Sequence, residues 1–439
     1  MRIGRTLPPA ATKIDISAIV SAICGLFRGE RESKRFRAEL VEHFGVRHCF
    51  LVSSGKAALT LTLRAIHELR PDRDEVVIPA FTCYSVPASV LHAGLRIRLC
   101  DLDPITLDFD YEQLASIMSE VSTQKSDSIS EFDMAISDNA MPVASISNLA
   151  AQKILAVIPT HLFGYSSDVQ KIREIVQDPE IVIVEDAAQA MGEEHASRKL
   201  GTLGDVGFFS LGRGKAFTTV EGGVILTDRD DVAEVLERHI ERLDPCSLWH
   251  QISLIAKAVA MMTFTNPRTF WIPRSLPFLA LGETLFERHF SIQRMSQFQA
   301  GLTANWQVRL QRLREVRKVN AARWANFLDT HGNGGQYFRC FHLVGSIRFP
   351  IKVSDRTKRD ALLEESARKG TGVMAVYPKS INQLEELGLE SAVFEYPVAE
   401  RYAREIVTLP THEYLRPSDV ESISLMLAKA LDVRSDPIS

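Results

Sequence analysis

The chain has 439 residues, of which 45% are apolar and 24% are charged, and its formal net charge at pH 7 is −4. This length predicts two domains, and the composition is ordinary for a globular protein. The small negative charge provides no electrostatic basis for binding nucleic acid. The six cysteines are scattered along the chain, at positions 24, 49, 83, 100, 246 and 340. Their spacing fits neither a disulfide framework nor a metal site and indicates reduced thiols in a cytoplasmic protein.

An apolar run near the start of the chain, residues 16–27, lacks the strongly basic beginning of a signal peptide. Its Ile16, Ile19, Val20 and Ile23 recur at helical spacing. We therefore predict an amphipathic helix here, and neither a signal peptide nor a membrane span.

Residues 48–53 predict a short strand, followed by the turn 54–56 and a helix over 57–69. Such a unit can present backbone N–H groups to a phosphate at the start of the helix. A plain connection and a solvated Lys56 are the alternatives, because many α/β proteins contain a turn of this kind.

Residues 75–102 predict a strand, a helix and a strand, an order that indicates a mostly parallel sheet covered by helices. Residues 120–150 are rich in Ser, Asp and Asn and are interpreted as a surface insertion. The next strand, 154–159, leads to His161. This histidine either lines a cofactor pocket or is a hydrogen-bonded structural residue.

The stretch 181–223 carries the clearest chemistry. A β-branched strand ends on Glu185 and Asp186, and a second strand runs into Ser210, with Lys215 in the glycine-flanked turn that follows. Parallel sheets place functional groups at the carboxyl ends of their strands. A carboxylate and a lysine so placed are what pyridoxal phosphate needs: the lysine holds its aldehyde, and the acid keeps its pyridine nitrogen protonated.

Residues 246–290 differ from the rest because 252–264 are almost wholly apolar and an aromatic, proline-broken run follows. The apolar part is too short to cross a bilayer, which takes about 20 residues. Packing at a dimer interface or domain core, a lid over the substrate and contact with a membrane surface remain as interpretations, with packing favoured.

The C-terminal part begins with a predicted long helix over 296–329. From residue 335 onward, strands (346–351, 372–377) alternate with helices (358–369, 417–431), which predicts an α+β domain. We therefore expect a large domain over 1–245, an apolar linker over 246–295 and a small domain over 296–439.

Eight segments, in order, resemble the pyridoxal-phosphate sugar aminotransferases of the DegT/StrS type. They are SSGKAAL (53–59), VVIPAFTCYSVPASV (76–90), GLRIRLCDLDP (94–104), PTHLFG (159–164), VEDAAQAMG (184–192), FFSLGRGKAFTTVEGG (208–223), RMSQFQAGL (294–302) and YPVAERYAREIVTLPTHEYL (396–415). The resemblance implies fold type I: a mostly parallel α/β large domain with a smaller α+β C-terminal domain.

The resemblance also implies roles around the cofactor ring. Lys215 would form the Schiff base and later move a proton between the substrate carbon and C4′ of the cofactor. Asp186 would pair with the pyridinium nitrogen, and Gln189 would lie near the phenolic oxygen. Ser210 would hold the phosphate.

The backbone around Gly55 and Lys56 would also hold the phosphate, but Lys56 stands where the family has threonine, so a charged contact would replace a hydroxyl. Cys83 stands where the family has an aromatic residue stacked on the ring; Tyr84 and Phe81 are both candidates to replace it. Ile292 stands where the family often has an asparagine that reaches the neighbouring subunit.

We expect a homodimeric aminotransferase that moves an amino group from glutamate or glutamine to a keto sugar. By resemblance the sugar is nucleotide-linked, and the setting is the synthesis of a polysaccharide or another glycosylated product. The alternatives are a related sugar dehydratase or lyase, and a non-catalytic regulatory or membrane-associated protein of the same fold. Lys215 disfavours the dehydratase, since relatives with that activity often have histidine at this position.

Overall fold

The computed structural model describes residues 3–28, 30–120, 153–276, 285–331, 338, 344–388 and 395–432. The predicted surface insertion at 120–150 lies outside these residues from position 121 onward. Two β-sheets with their helices make up the described part of the chain, together with a short hairpin.

The larger sheet has seven strands: β1 (His48–Val52), β2 (Glu75–Pro79), β3 (Arg96–Cys100), β4 (Ile154–Val157), β5 (Val182–Asp186), β8 (Val206–Ser210) and β9 (Gly223–Thr227). Between β5 and β8 in the chain, β6 (Glu194–His195) and β7 (Arg198–Lys199) form a separate two-stranded hairpin. The strand order is β1–β9–β8–β5–β4–β2–β3. Pairs from β3 through β8 are parallel, and only β9, against β8 and β1, pairs antiparallel in this sheet as described. The predicted mostly parallel sheet is confirmed.

Helices cover both faces of this sheet. They are α1 (Ile16–Leu26), α2 (Arg31–Phe44), α3 (Gly55–Leu69), α4 (Ser85–His92), α5 (111–120), α6 (Val169–Val176) and α7 (Asp230–Glu241). Along β5, Val182 and Val184 enter the core on the α3 side, while Ile183 enters the core on the opposite side. Burial on both faces explains why these strands are continuous apolar runs in the sequence.

The predicted N-terminal helix is confirmed as α1, but three of the four apolar side chains that predicted it do not face the core. Ile16, Val20 and Ile23 are exposed, whereas Ile19 and the small residue Ala22 are buried. Small residues face inward because α1 approaches the segment around Gly301 closely: a Cβ on Gly301 would lie 2.6 Å from Ala22 Cα.

The segment over 246–290 forms α8 (Leu248–Phe264) and the short α9 (Trp271–Arg274) in its described part. Leu254 and Ala258 of α8 are buried in a small cluster with α1 and Val220. No helix within the described ranges is both long and apolar enough to cross a membrane.

The predicted single helix over 296–329 is wrong, because two helices occupy this region: α10 (Gln297–Gly301) and α11 (Trp306–His331). The helical backbone is interrupted between them, and Asn305 in the connection has a φ of 53°, in the left-handed region. The second helix carries the buried Trp324 and Leu328 into the core of the smaller sheet.

The smaller sheet is antiparallel, with strands β10 (Arg348–Lys352), β11 (Met374–Ala375) and β12 (Ile406–Pro410) in the order β10–β12–β11. Helices α12 (Arg356–Lys369), α13 (Pro397–Glu405) and α14 (Pro417–Leu431) accompany it. The α+β character is confirmed. The predicted strand over 372–377 shrinks to β11, and the central strand β12 was not predicted, because its apolar run was treated only as part of a motif.

Candidate active site

A cavity of about 660 Å³ opens where several strands of the larger sheet end. Residues 53–56 follow β1, Cys83 follows β2, Asp186 ends β5 and Ser210 ends β8; all of them line the cavity together with Lys215. The carboxyl ends of these strands lie at one edge of the sheet, so residues far apart in sequence meet there.

The two adjacent carboxylates at the end of β5 lie in different surroundings, because successive side chains of a strand point to opposite faces. Glu185 is fully buried and accepts hydrogen bonds from the backbone N–H groups of Gly201 (2.9 Å) and Gly204 (2.6 Å), and from His161 Nε2 (2.8 Å). Asp186 instead lines the cavity. Glu185 therefore fixes a loop, and Asp186 is the carboxylate available for chemistry.

Asp186 is almost completely buried, and its Oδ1 accepts a hydrogen bond from the backbone N–H of Ala188 at 3.0 Å. Burial raises the pKa of this carboxyl group, although the positive charge of Lys215 opposes the shift. A buried carboxylate is stabilised by a nearby cation that can donate a hydrogen bond. A protonated pyridine nitrogen is such a partner.

His161, predicted as a possible pocket residue, is fully buried behind the end of its strand and is not among the residues that line the cavity. Its Nδ1 accepts a hydrogen bond from the backbone N–H of Ser167 at 3.1 Å, so Nε2 carries the proton that it donates to Glu185. The structure thus favours the structural interpretation of this histidine.

The backbone of Lys215 is held from outside its own loop. Its carbonyl oxygen accepts hydrogen bonds from Thr12 Oγ1 (2.5 Å) and Arg317 Nη2 (3.2 Å), and Arg317 Nη1 donates to the carbonyl of Ala216 (2.7 Å). Arg317 belongs to α11 and is buried, which lowers its pKa to about 10. Sequence reasoning missed both supports, because neither residue lies in a segment that matches the family motifs.

The start of α3 meets Ser210 at the side of the cavity. The N–H groups of Gly55 and Lys56 belong to the first helical turn, where backbone donors have no acceptor within the helix. A Cβ on Gly55 would lie 2.7 Å from Ser210 Cβ, so only glycine fits this contact. Ser210 Oγ accepts a hydrogen bond from the N–H of Gly212 at 3.3 Å. A hydroxyl beside a helix N-terminus suits a phosphate group.

The ammonium group of Lys56 turns to the rim of the cavity. Its Nζ lies 2.7 Å from Glu287 Oε2 and 4.6 Å from the centre of the Phe290 ring. The side chain of Lys56 thus makes an ion pair and a cation–π contact at the rim, and the charged phosphate contact expected from the sequence stays a prediction.

Gln189 also lines the cavity and connects the two sheets. Its Oε1 accepts a hydrogen bond from the backbone N–H of Phe163, and its Nε2 donates to the hydroxyl of Tyr377, each at 3.2 Å. Tyr377 follows β11, and its backbone has a left-handed φ of 48°. The amide is thus held in a fixed orientation beside Asp186.

Of the three candidates for the position over the ring, only Cys83 is among the residues that line the cavity. The Tyr84 hydroxyl donates to the carbonyl of Lys379 (2.8 Å) and accepts from its N–H (2.9 Å). Phe81 is buried, with its ring centre 5.6 Å from that of Tyr377. Both aromatic side chains therefore contact residues of the C-terminal part and do not line the cavity.

The segment RMSQFQAGL has a supporting role that sequence analysis did not assign. Gln299 Nε2 donates to the carbonyl of Glu221 at 2.8 Å, at the end of the Lys215 loop. The same Nε2 of Gln299 also donates to the carbonyl of Ser53, beside the start of α3, at 3.4 Å. In the sequence, the only sign of this role was the match of the segment to a family motif. In the structure, Gln299 links the residues before α3 with the end of the Lys215 loop.

The described residues fit pyridoxal phosphate. An anion site at α3, the buried carboxylate of Asp186 and the amine of Lys215 surround one cavity, and the three functional ends of that cofactor are an anion, a ring nitrogen and an aldehyde.

Comparisons with known proteins agree with this geometry. The model of the DegT/DnrJ/EryC1/StrS aminotransferase family matches residues 20–427 and confirms the resemblance drawn from the motifs. The L-glutamine:2-deoxy-scyllo-inosose aminotransferase of Streptoalloteichus tenebrarius is 24% identical over 440 residues, covering 93% of this chain and 88% of the relative.

Two solved structures share the fold. The sugar aminotransferase CalS13 of Micromonospora echinospora is 21% identical, with a TM-score of 0.70 over 96% of this chain and 99% of its own. The GDP-4-keto-6-deoxy-D-mannose-3-dehydratase of E. coli, solved with bound hydrated PLP, is 17% identical, with a TM-score of 0.68 over 97% of this chain and all of its own, 100%. These likenesses confirm the predicted fold class.

Proposed function

The chain belongs to the DegT/DnrJ/EryC1/StrS aminotransferase family, and we propose that it uses pyridoxal phosphate to transfer an amino group from glutamate or glutamine to a nucleotide-linked keto sugar. The observation that carries the proposal is the meeting of Asp186 and Lys215 in one cavity with the tight contact of Gly55 and Ser210. A structural lysine would need neither the buried carboxylate nor the anion site.

When bound, the cofactor supplies an electron-accepting ring that stabilises negative charge on the carbon bearing the amine. Asp186 would keep a proton on the ring nitrogen, because a buried carboxylate is stabilised by a cation beside it. Ser210 and the N–H groups of Gly55 and Lys56 would hold the phosphate. Gln189 would orient the ring from the side of its phenolic oxygen.

Lys215 would do the acid–base work. Its Nζ would take a proton from the substrate carbon in one half reaction and return a proton in the other. The hydrogen bonds from Thr12 and Arg317 to its carbonyl fix the backbone from which this amine reaches into the cavity. Fixed geometry matters, because proton transfer requires the two heavy atoms to approach to about 3 Å.

Spectroscopy of the purified protein tests the proposal directly. We expect pyridoxal phosphate by mass spectrometry and an absorption band near the edge of the visible range that glutamate or glutamine bleaches. Lys215→Ala should abolish the covalent attachment. Colourless protein with no bound cofactor would contradict the proposal.

A panel of keto acceptors then tests the second half reaction. We would add nucleotide-linked keto sugars, including GDP-4-keto-6-deoxy-D-mannose, and 2-deoxy-scyllo-inosose, and analyse the products by mass spectrometry. An aminated product supports the proposal, whereas a deoxy sugar without nitrogen would indicate the dehydratase alternative.

The assembly and cellular setting are part of the same proposal. We propose a cytoplasmic homodimer that serves the synthesis of a polysaccharide or another glycosylated product. Sedimentation equilibrium should give twice the chain mass of 49.1 kDa. The division at 245 and 296 predicts that limited proteolysis cuts first within the linker.

A further inference from the structure

Helix α8 contributes polar groups to the wall of the cavity, although it lies outside every family motif. His250, in its first turn, lines the cavity beside Glu221 of the Lys215 loop. Ser247 caps the helix, since its side chain accepts a hydrogen bond from the N–H of His250 at 3.2 Å. The cap fixes where the helix starts and therefore where His250 projects.

The helix is attached to the loop that carries the lysine. Lys257 Nζ lies 2.7 Å from Glu221 Oε1, and Leu254 and Ala258 are buried in one cluster with Val220. These residues share one side of α8 with His250, because positions three, four, seven and eight apart face the same way. The position of His250 relative to the Lys215 loop is thereby set by an ion pair and by apolar contacts.

One polar atom in this arrangement has no partner. His250 Nε2 is buried, and it makes no hydrogen bond within the described part of the chain. The nearest carboxylate oxygen, Glu221 Oε2, lies 3.9 Å away, which is too far for a direct hydrogen bond. A separation of this size can be bridged by one oxygen atom that bonds to both groups. Buried polar atoms are normally satisfied, so a missing partner points to a ligand.

We propose that His250 and Glu221 together bind a hydroxyl group of the keto acceptor. The hydroxyl oxygen accepts a hydrogen bond from His250 Nε2–H, and its own proton is donated to the carboxylate of Glu221. The acceptor class is a polyhydroxylated cyclic ketone, which matches a cavity whose lining also includes Ser85 and Ser291. This inference rests on the proposed aminotransferase activity and assigns its specificity to the chain's own apolar segment.

The two half reactions separate this role from the cofactor chemistry. In His250→Ala, bleaching of the cofactor band by glutamate or glutamine should proceed within about twofold of the wild-type rate, because a residue that binds only the acceptor leaves donor chemistry unchanged. With the acceptor panel, the KM for the keto acceptor should rise by about 10- to 100-fold, as expected when one hydrogen bond in a buried site is lost. The kcat should change little.

Two further variants keep the test specific. His250→Gln retains a side-chain N–H donor and should recover part of the acceptor affinity. His195→Ala removes a histidine from the exposed hairpin β6–β7 and should leave both half reactions unchanged. Thermal melting of each variant checks that the fold is retained.

The possible outcomes are distinct. Unchanged acceptor KM in His250→Ala, with amination intact, would overturn the inference, leave the proposed function standing and assign the gap to a bridging water. A slowed donor half reaction would place His250 in the cofactor machinery and would also overturn it. If the wild-type protein aminates none of the probes, the proposed function fails, and the acceptor site fails with it.

Discussion

The two walls of the cavity are built in different ways. On the sheet side, Asp186 and Gln189 are only 4% and 6% exposed, and backbone hydrogen bonds fix their surroundings. On the opposite side, which includes His250 of α8, Leu285 is 61% exposed and the side chain of Glu287 is 63% exposed. Ion pairs and a few apolar contacts hold this second wall.

This difference in exposure and hydrogen bonding indicates that the two walls have different functions. The sheet side contains the residues that fit the cofactor, whose chemistry needs fixed geometry, because small displacements of reacting groups cost rate steeply. The α8 side contains none of the eight motif segments and faces the rest of the cavity, where the acceptor would lie. We infer that one wall determines the reaction and the other determines the substrate.

The largest effect is expected at Lys215. Lys215→Ala should lower transamination by at least about 10⁴-fold, because it removes the group that moves the proton. Added methylamine should restore part of the rate in this variant. A rate that stays within tenfold of wild type would show that the sheet side does not determine the reaction.

Asp186→Asn should have the next largest effect and should act in opposite directions on activity and stability. Loss of the negative charge beside the ring nitrogen should lower kcat by about 10²- to 10³-fold. Burial raises the pKa of Asp186 in the folded protein, so its negative charge destabilises the fold when the cofactor is absent. The stability that the protonated carboxyl group provides at low pH is therefore lost as the pH rises through the pKa that Asp186 has in the folded protein. The variant without cofactor should therefore melt at a higher temperature than the wild-type apoprotein at pH 7.

His412 tests how strongly the N-terminal residues before α1, which include Pro8 and Thr12, support the sheet side of the cavity. Its Nε2 donates to the carbonyl of Pro8 (2.8 Å), near Thr12, and burial lowers its pKa to about 4. The unfolded chain binds a proton near pH 6.5, so the stabilisation is complete above that pH and is lost as the pH falls towards 4. The expected loss is about 3 kcal/mol at 1.36 kcal/mol per pKa unit.

Urea unfolding at pH 7, 5.5 and 4.5 measures this loss. In His412→Gln the contribution of this site should disappear and the pH dependence should flatten, whereas the exposed His195→Gln should retain the wild-type slope. Equal slopes in all three proteins would show that His412 is not the group that titrates.

The sequence predicted the sheet side far better than the α8 side. Asp186 and Ser210 could be placed because they end apolar strands, and Lys215 because it lies in the turn after the second strand; a parallel sheet brings such ends together. His161 and Glu185 were ambiguous, since alternation along a strand decides which group meets the cavity and which meets the interior. The hydrogen bonds from Arg317 to the backbone of the Lys215 loop could not be predicted, because they depend on how α11 lies against a loop about 100 positions away.

The contribution of α8 to the cavity could not be predicted from the sequence pattern, for a related reason. Its apolar composition favoured packing at an interface or in a core, but only a few side chains of α8 are buried, and which ones depends on how the helix lies against α1 and Val220. The same dependence on tertiary contact explains why α1 buries Ala22 and exposes Ile16. The choice between Cys83, Tyr84 and Phe81 likewise required the position of the C-terminal part.

The smallest effect is expected at Lys56, which lies where the two walls meet. Its ion pair with Glu287 is partly exposed, so Lys56→Ala should change stability by less than about 1 kcal/mol and cofactor affinity by less than about threefold. Lys153→Ala, which breaks a similar exposed pair with Asp72 away from the cavity, is the matched control. Cofactor titration by fluorescence measures both variants. If Lys56 binds the phosphate, as the sequence suggested, its variant alone should lose tenfold or more in affinity, and Lys56 would then belong to the cofactor wall and not to the rim.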